Sequence, residues 1–175
     1  MNARLPTTQL QANPATLINH ILERYHAVHR EQLPELIRMA RRVEEVHRDH
    51  PLVPAGLAAL LESAAQDLLS HMMKEESILF PILKAGGNPL VSHPIGVMRA
   101  EHTAHEAMLG QLMAHCNNAT APIGACSTWR ALYAGITELH DDLISHIELE
   151  NNLLFKQFEV PLHATGKSTC CGTCG

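Results

Sequence analysis

The sequence has few aromatic side chains and no basic cluster. Its 175 residues include one Trp, two Tyr and three Phe, and the formal net charge is −5. General binding to nucleic acid or to anionic membranes requires a basic face on the protein. The charge balance therefore argues against both kinds of partner.

Long apolar runs and strand patterns are also missing. No stretch approaches the roughly 20 apolar residues that a membrane-spanning helix needs, and the first six residues lack the apolar core of a signal peptide. We therefore expect a cytoplasmic protein. No window alternates with a period of two, so no strands are predicted.

The five cysteines do not form a pattern typical of a disulfide framework. Their number is odd, and three of them, Cys170, Cys171 and Cys174, crowd the end of the chain. In a chain without an export signal, such a set indicates thiols or metal ligands.

The chain instead shows helical periodicity in four segments. Asn13 and Pro14 provide a cap and a first helical residue, and Pro34 within the first helix predicts a kink or a short break. The predicted helices cover residues 14–46, 55–83, 94–115 and 127–159. Four helices with short links predict an all-α, up-down-up-down four-helix bundle at 14–160, with tails at 1–13 and 161–175.

Histidine is unusually frequent, with 13 copies, and four of these histidines belong to a repeat. Segments 71–80 and 146–155 both begin with His-x-x-x-Glu and end with Leu-Phe. His26 and His102 precede them by 45 and 44 residues. The chain therefore consists of two similar helical hairpins, each with one His on its first helix and His-x-x-x-Glu on its second.

This repeat predicts a metal centre. Composition alone gives roughly one His-x-x-x-Glu pair by chance, so the prediction rests on the repeat. The His and the Glu of each pair lie on the same face of their helix. Ionisable groups facing a bundle interior require a cation to neutralise them. The predicted ligands, with both glutamates bridging two ions, are His26, His71, Glu75, His102, His146 and Glu150.

The donor set restricts the metal. Mixed nitrogen and oxygen ligation excludes Ca²⁺ and disfavours Mg²⁺, whereas Zn²⁺ accepts the same donors. Two close ions that share carboxylates are more typical of iron or manganese, and we choose iron. Glu106 completes a third His-x-x-x-Glu pair, but Arg30 stands at its place in the first hairpin, so we leave it out. The other nine histidines are assigned to the surface or to support of the ligands.

These residues resemble a known family, the hemerythrin-like di-iron proteins for repair of iron centres, also described as nitric-oxide-response iron–sulfur cluster repair proteins. The resemblance covers residues 14–160 and rests on 25–36, 71–81, 101–102, 125–133 and 146–155. It implies the same six ligands and two iron ions, oxo-bridged when oxidised. Oxygen-carrying hemerythrins use five His and two carboxylates, a pattern that this chain lacks.

The chain departs from the family pattern in two places. The resemblance does not include the small Cys-Cys domain with which members usually begin, and Lys156 follows Phe155 where Pro is usual. We hypothesise that Cys170, Cys171 and Cys174 supply the thiol chemistry of that domain. The alternative is a disordered tail or an adventitious metal binder, since one Cys-x-x-Cys lacks the second ligand pair of a closed zinc site.

The resemblance implies a function in the response to nitrosative and oxidative stress. The protein would help to repair damaged iron–sulfur clusters as an iron donor, with damaged iron–sulfur proteins as partners. The main alternative is that the di-iron centre binds or scavenges nitric oxide or reduces it to N₂O. The small ligand would be NO or O₂. A sensor or carrier of O₂ or NO is a third possibility, and whether the protein is an enzyme stays open.

Overall fold

The structure is a computed structural model and describes residues 13–159. Four long helices account for most of these residues. Helix α1 comprises Pro14–Ile21, a π-helical turn at Leu22–His26 and Ala27–Val46. Helix α2 comprises Leu57–Lys74, a π turn at Glu75–Leu79 and Phe80–Lys84. Helix α3 is Ser92–His115. Helix α4 comprises Ser127–Leu149, a π turn at Glu150–Leu154 and a 3₁₀ turn at Phe155–Phe158.

The helix ends follow the capping chemistry of the sequence. The Asn13 side chain accepts a hydrogen bond of 2.9 Å from the backbone N–H of Ala15, and Pro14 is the first helical residue of α1. Helix α2 ends before Gly86 and Gly87, whose φ angles of 94° and 79° suit glycine. The predicted all-α four-helix bundle is confirmed, and residues 13–159 contain no strand.

Pro34 does not interrupt α1. The helix is continuous over Ala27–Val46, so the short break that we considered at Pro34 is absent. The proline removes one backbone N–H donor, but the neighbouring Leu33 and Leu36 are each only 1% exposed and pack in the core. Burial of these side chains holds the helix together across the proline.

The core has two apolar parts. The larger surrounds Trp129 and includes Leu36, Leu61, Leu109 and Leu143. The smaller lies at the other end of the bundle and includes Leu17, Ile21, Phe80, Leu154 and Phe155. On each helix, the buried His and Glu residues lie in the sequence between residues of these two parts. The bundle therefore contains one polar layer between two apolar ones.

Between residues 13 and 159 no helix is both long enough and apolar enough to cross a membrane. The predicted division into a bundle at 14–160 and tails at 1–13 and 161–175 extends past the described residues and stays a prediction.

Candidate metal centre

The six predicted ligand residues come from all four helices and lie together in the polar layer. His26 is on α1, His71 and Glu75 are on α2, His102 is on α3, and His146 and Glu150 are on α4. Each is at most 1% exposed. The two hairpins thus contribute equivalent residues to one buried site.

The side chains form two groups that could each hold a metal ion. The His26 group consists of His26, Glu75, His146 and Glu150, and the His71 group of His71, Glu75, His102 and Glu150. Within each group the candidate ligand atoms all lie within 4.8 Å of one another. Both glutamates belong to both groups, which is the arrangement expected of bridging carboxylates.

Each glutamate directs one oxygen at each histidine pair. Glu75 Oε2 lies 3.4 Å from His26 Nε2, and its Oε1 lies 3.4 Å from His71 Nε2. Glu150 Oε2 lies 3.1 Å from His102 Nε2, and its Oε1 lies 3.2 Å from His146 Nε2.

The histidine pairs converge in the same way. The Nε2 atoms of His26 and His146 are 3.2 Å apart, and those of His71 and His102 are 3.1 Å apart. Two imidazole nitrogens and two carboxylate oxygens therefore point at each of two neighbouring centres.

The glutamate oxygens indicate a cation. All four carboxylate oxygens of Glu75 and Glu150 are buried and have no hydrogen-bond partner among residues 13–159. A buried polar group without a partner costs about 1–3 kcal/mol, and more when it is charged. A cation shared by these oxygens removes that cost, so the donor set fits a metal.

The π turns coincide with three of the predicted ligands. One ends at His26, and the other two begin at Glu75 and at Glu150. A π turn widens the helix locally and is frequent at functional sites. The regular spacing of the apolar residues gave no sign of these turns.

Three of the four histidines are oriented by hydrogen bonds from Nδ1–H. His26 donates to Glu76 at 2.7 Å, His71 to Glu101 at 2.8 Å, and His102 to Asn151 at 3.0 Å. In each of these rings Nδ1 carries a proton, and Nε2 is the nitrogen that points at the centre.

The sequence interpretation missed these three partners. Each one directly neighbours a predicted ligand in the chain, namely Glu75, His102 and Glu150, and this adjacency was the available signal.

Neighbouring histidines and glutamates in the polar layer shift one another's pKa towards the charged forms. Burial lowers the pKa of His71, but the negative charge of Glu75 and the hydrogen bond to Glu101 outweigh this effect and raise the pKa to about 9. Burial opposes ionisation of Glu150, yet His146 and His102 together hold its pKa well below the usual range. Carboxylate charge is thus stabilised inside the core by the groups that surround it.

Two further histidines are buried beside the predicted ligands. The ring of His29 lies 5.6 Å from that of His146, and the ring of His105 lies 4.8 Å from that of His71. Burial, followed by the neighbouring histidine, lowers the pKa of His29 to about 3 and that of His105 to about 4. Both rings are therefore neutral and pack on the ligands. Glu106, which we left out of the ligand set, is exposed.

Apolar and aromatic side chains cover the centre on the side of the smaller core. Phe80 stacks on His26 with ring centroids 5.7 Å apart, and Phe155 stacks on His102 at 5.9 Å. The phenylalanines of the repeated Leu-Phe thus stack on equivalent predicted ligands, one in each hairpin. The predicted thiol tail, Cys170, Cys171 and Cys174, lies outside the described residues.

Comparison with known proteins identifies the family. The Hemerythrin HHE cation binding domain matches residues 17–158. The chain belongs to the hemerythrin HHE family. The two groups are the places where this hemerythrin domain could hold a metal ion.

Curated relatives carry the resemblance further. The chain is 53% identical over 141 residues to the iron-sulfur cluster repair protein YtfE of Escherichia coli O157:H7, covering 81% of this chain and 64% of that protein. It is 54% identical over 146 residues to YtfE of Cronobacter sakazakii, covering 83% and 66%. The protein of the same name from Yersinia pseudotuberculosis serotype O:1b is 53% identical over 146 residues, with coverage of 83% and 66%.

These matches confirm the resemblance to iron–sulfur cluster repair proteins. The hemerythrin-family chain spans less than two thirds of the length of the relatives that it matches, 64–66%.

Proposed function

We propose that this hemerythrin domain holds two iron ions and donates iron for the repair of damaged iron–sulfur clusters. The observation that carries the proposal is the sharing of Glu75 and Glu150 between two histidine pairs. A mononuclear site needs no such sharing, whereas two adjacent ions need shared anionic ligands to offset their mutual repulsion. His26 and His146 would hold one ion, and His71 and His102 the other.

The donor chemistry supports iron. Imidazole suits Fe, Zn, Cu and Ni, and bridging carboxylates in the core of a helical bundle are typical of di-iron and di-manganese proteins. The relatives named as iron-sulfur cluster repair proteins support iron over manganese. In such repair the bound iron is the cargo.

The residues of this chain have distinct tasks in that function. Glu75 and Glu150 hold both ions, while Glu76, Glu101 and Asn151 keep the imidazoles oriented. Imidazole and carboxylate bind metal only when deprotonated, so protons compete with the metal. Such a site can give up an ion more readily than a closed thiolate cage.

The partners follow from the proposed task. Proteins with oxidised or nitrosylated iron–sulfur clusters would receive the iron. The tail thiols of Cys170, Cys171 and Cys174 would assist the transfer, as hypothesised from the sequence.

Reactivation of a cluster-damaged aconitase tests the donor function. Iron-loaded protein is mixed anaerobically with the damaged enzyme, thiol and sulfide, and the recovery of activity is compared with that given by an equal amount of free Fe²⁺. The proposal predicts faster recovery with the protein. Equal rates would contradict it. A His146→Ala variant, loaded in the same way, serves as the control for release from the site.

A second candidate function is binding or reduction of nitric oxide. Each group offers only four protein ligand atoms, which leaves coordination positions for a small molecule on iron. Formation of N₂O over several turnovers of the reduced protein would favour this function. Absence of N₂O together with aconitase repair would favour the donor.

A further inference from the structure

The two histidine pairs differ in how their outer nitrogens are held. The two hairpins are related by a repeat of 75 or 76 residues, so each outer partner in one hairpin has an equivalent position in the other. At one equivalent pair of positions stand Tyr25 and Glu101, and at the other stand Glu76 and Asn151. The repeat is thus broken where the residues contact the ligands from outside.

Both histidines of the His71 group are anchored. His71 Nδ1–H donates to Glu101 Oε2 at 2.8 Å, and Lys74 forms an ion pair with the other oxygen of Glu101. His102 Nδ1–H donates to the side-chain carbonyl of Asn151 at 3.0 Å.

Only one histidine of the His26 group is anchored in this way. His26 Nδ1–H donates to Glu76 Oε1 at 2.7 Å, and the same oxygen accepts from Arg30 at 2.8 Å. His146 Nδ1 is buried and has no hydrogen-bond partner within residues 13–159.

Ring packing takes the place of a hydrogen bond at His146. Its imidazole stacks on Tyr25 with ring centroids 5.1 Å apart and an interplanar angle of 7°. Tyr25 occupies the repeat position at which Glu101 supports His71. The stacking keeps the ring in place, but it does not accept a hydrogen bond from Nδ1–H.

A partner on the outer nitrogen of a metal-binding imidazole fixes the ring and makes the inner nitrogen more basic. Loss of such a partner typically lowers metal affinity by about 10–100-fold. The His71 group has two such partners and the His26 group has one, while both groups share Glu75 and Glu150. Because the glutamates contribute to both groups, the difference in metal affinity between the groups depends on the outer partners.

We infer that the His26 group binds its ion more weakly than the His71 group and is the one that releases first. Glu76, Glu101 and Asn151 are the positioning residues that set the difference. The inference deepens the proposed function, on which it rests, because it assigns the donated ion to one half of the centre and the retained ion to the other.

Equilibrium competition with a ferrous chelator tests the inference on the iron-loaded, reduced chain. Iron retained per chain is measured by metal analysis at graded chelator concentrations under anaerobic conditions. We expect two steps, from two ions to one and from one to none, at chelator concentrations that differ by about ten-fold or more. After the first step, oxidation should give the EPR signal of an isolated ferric ion.

Three substitutions assign the steps to the groups. Glu76→Gln weakens the support of His26 and should widen the gap in chelator concentration between the two steps by about ten-fold. Glu101→Gln weakens the support of His71 and should narrow the gap. Asn151→Asp gives His102 a carboxylate partner and should widen the gap, because the His71 group then holds its ion more tightly.

The controls separate folding from metal binding. Glu35→Gln removes an exposed carboxylate paired with Arg38, far along α1 from the ligands, and should leave both steps unchanged. Circular dichroism of each variant checks the bundle. Asn151→Asp is a gain of affinity, so it cannot be explained by a misfolded chain.

Loss of both ions in a single step in the unsubstituted chain would overturn the inference. So would an unchanged gap in all three variants, or reversed signs, with Glu76→Gln narrowing the gap and Glu101→Gln widening it. Its failure is distinct from that of the proposed function. Two steps with no aconitase repair would reject the donor function alone, and repair with a single step would reject the inference alone.

Discussion

Glu75 and Glu150 lie together in the bundle core, 75 residues apart in the sequence, and each directs one carboxylate oxygen at each of the two histidine pairs. Because both residues serve both groups, a change at either one acts on the whole centre. A change at a histidine acts first on its own group.

Replacement of Glu150 should therefore remove more metal than replacement of a histidine. We expect Glu150→Gln to bind close to no iron, because both ions lose an anionic ligand, and His71→Ala to bind less than two ions per chain. Iron per chain after anaerobic purification is the measurement. Glu62→Gln, an exposed carboxylate paired with Arg41, is the matched control and should keep full iron. Full iron in Glu150→Gln would refute the ligand assignment.

Removal of metal should lower the thermal stability of the bundle. A ligand present at 100 times its dissociation constant stabilises a fold by about 2.7 kcal/mol, so two ions contribute roughly twice that. For a domain of this size the melting temperature should fall by about 10 °C or more. Differential scanning calorimetry before and after exhaustive chelation measures the shift. An unchanged melting temperature, with iron shown to be gone, would contradict a metal bound in the core.

Phe155→Ala should destabilise the bundle and disturb the metal centre together. The side chain is fully buried and stacks on His102. Truncation of a buried Phe costs about 3–5 kcal/mol, and the cavity would leave the imidazole less well held. Denaturant unfolding gives the first effect and chelator competition the second. Phe155→Leu should show a smaller loss of both, and an iron affinity unchanged in Phe155→Ala would argue against the stacking role.

The convergence of the six candidate ligand side chains could be predicted because it follows from helix geometry. The spacing of His71 and Glu75 places both on one face, and the repeat at His146 and Glu150 indicates a second such face. Helix bounds were predictable at Pro14 and at Gly86 because cap residues are local signals. These inferences need only neighbours in the chain.

The remaining features depend on contacts between helices. A π turn at Glu75 or Glu150 leaves no mark in the apolar pattern, since it changes the register by one residue only. The bond from His26 to Glu76 joins α1 to α2, and the stacking of Tyr25 on His146 joins α1 to α4. Continuity of α1 through Pro34 is another case, because it depends on burial of the flanking leucines.

The cysteine tail allows a separate prediction. If Cys170, Cys171 and Cys174 take part in iron transfer, their joint replacement by Ser should slow the repair of damaged aconitase while leaving two ions bound per chain. Both quantities are measured on the same preparation. A triple variant with an undiminished rate of repair would remove the tail from the mechanism and leave the bundle as the active part.

Anomalous X-ray scattering from crystals of the iron-loaded protein, collected at the iron absorption edge, tests the central claim most directly. The account predicts two neighbouring peaks in the core, one against His26 and His146 and the other against His71 and His102, with Glu75 and Glu150 in contact with both. A single peak, or peaks away from these six side chains, would contradict it.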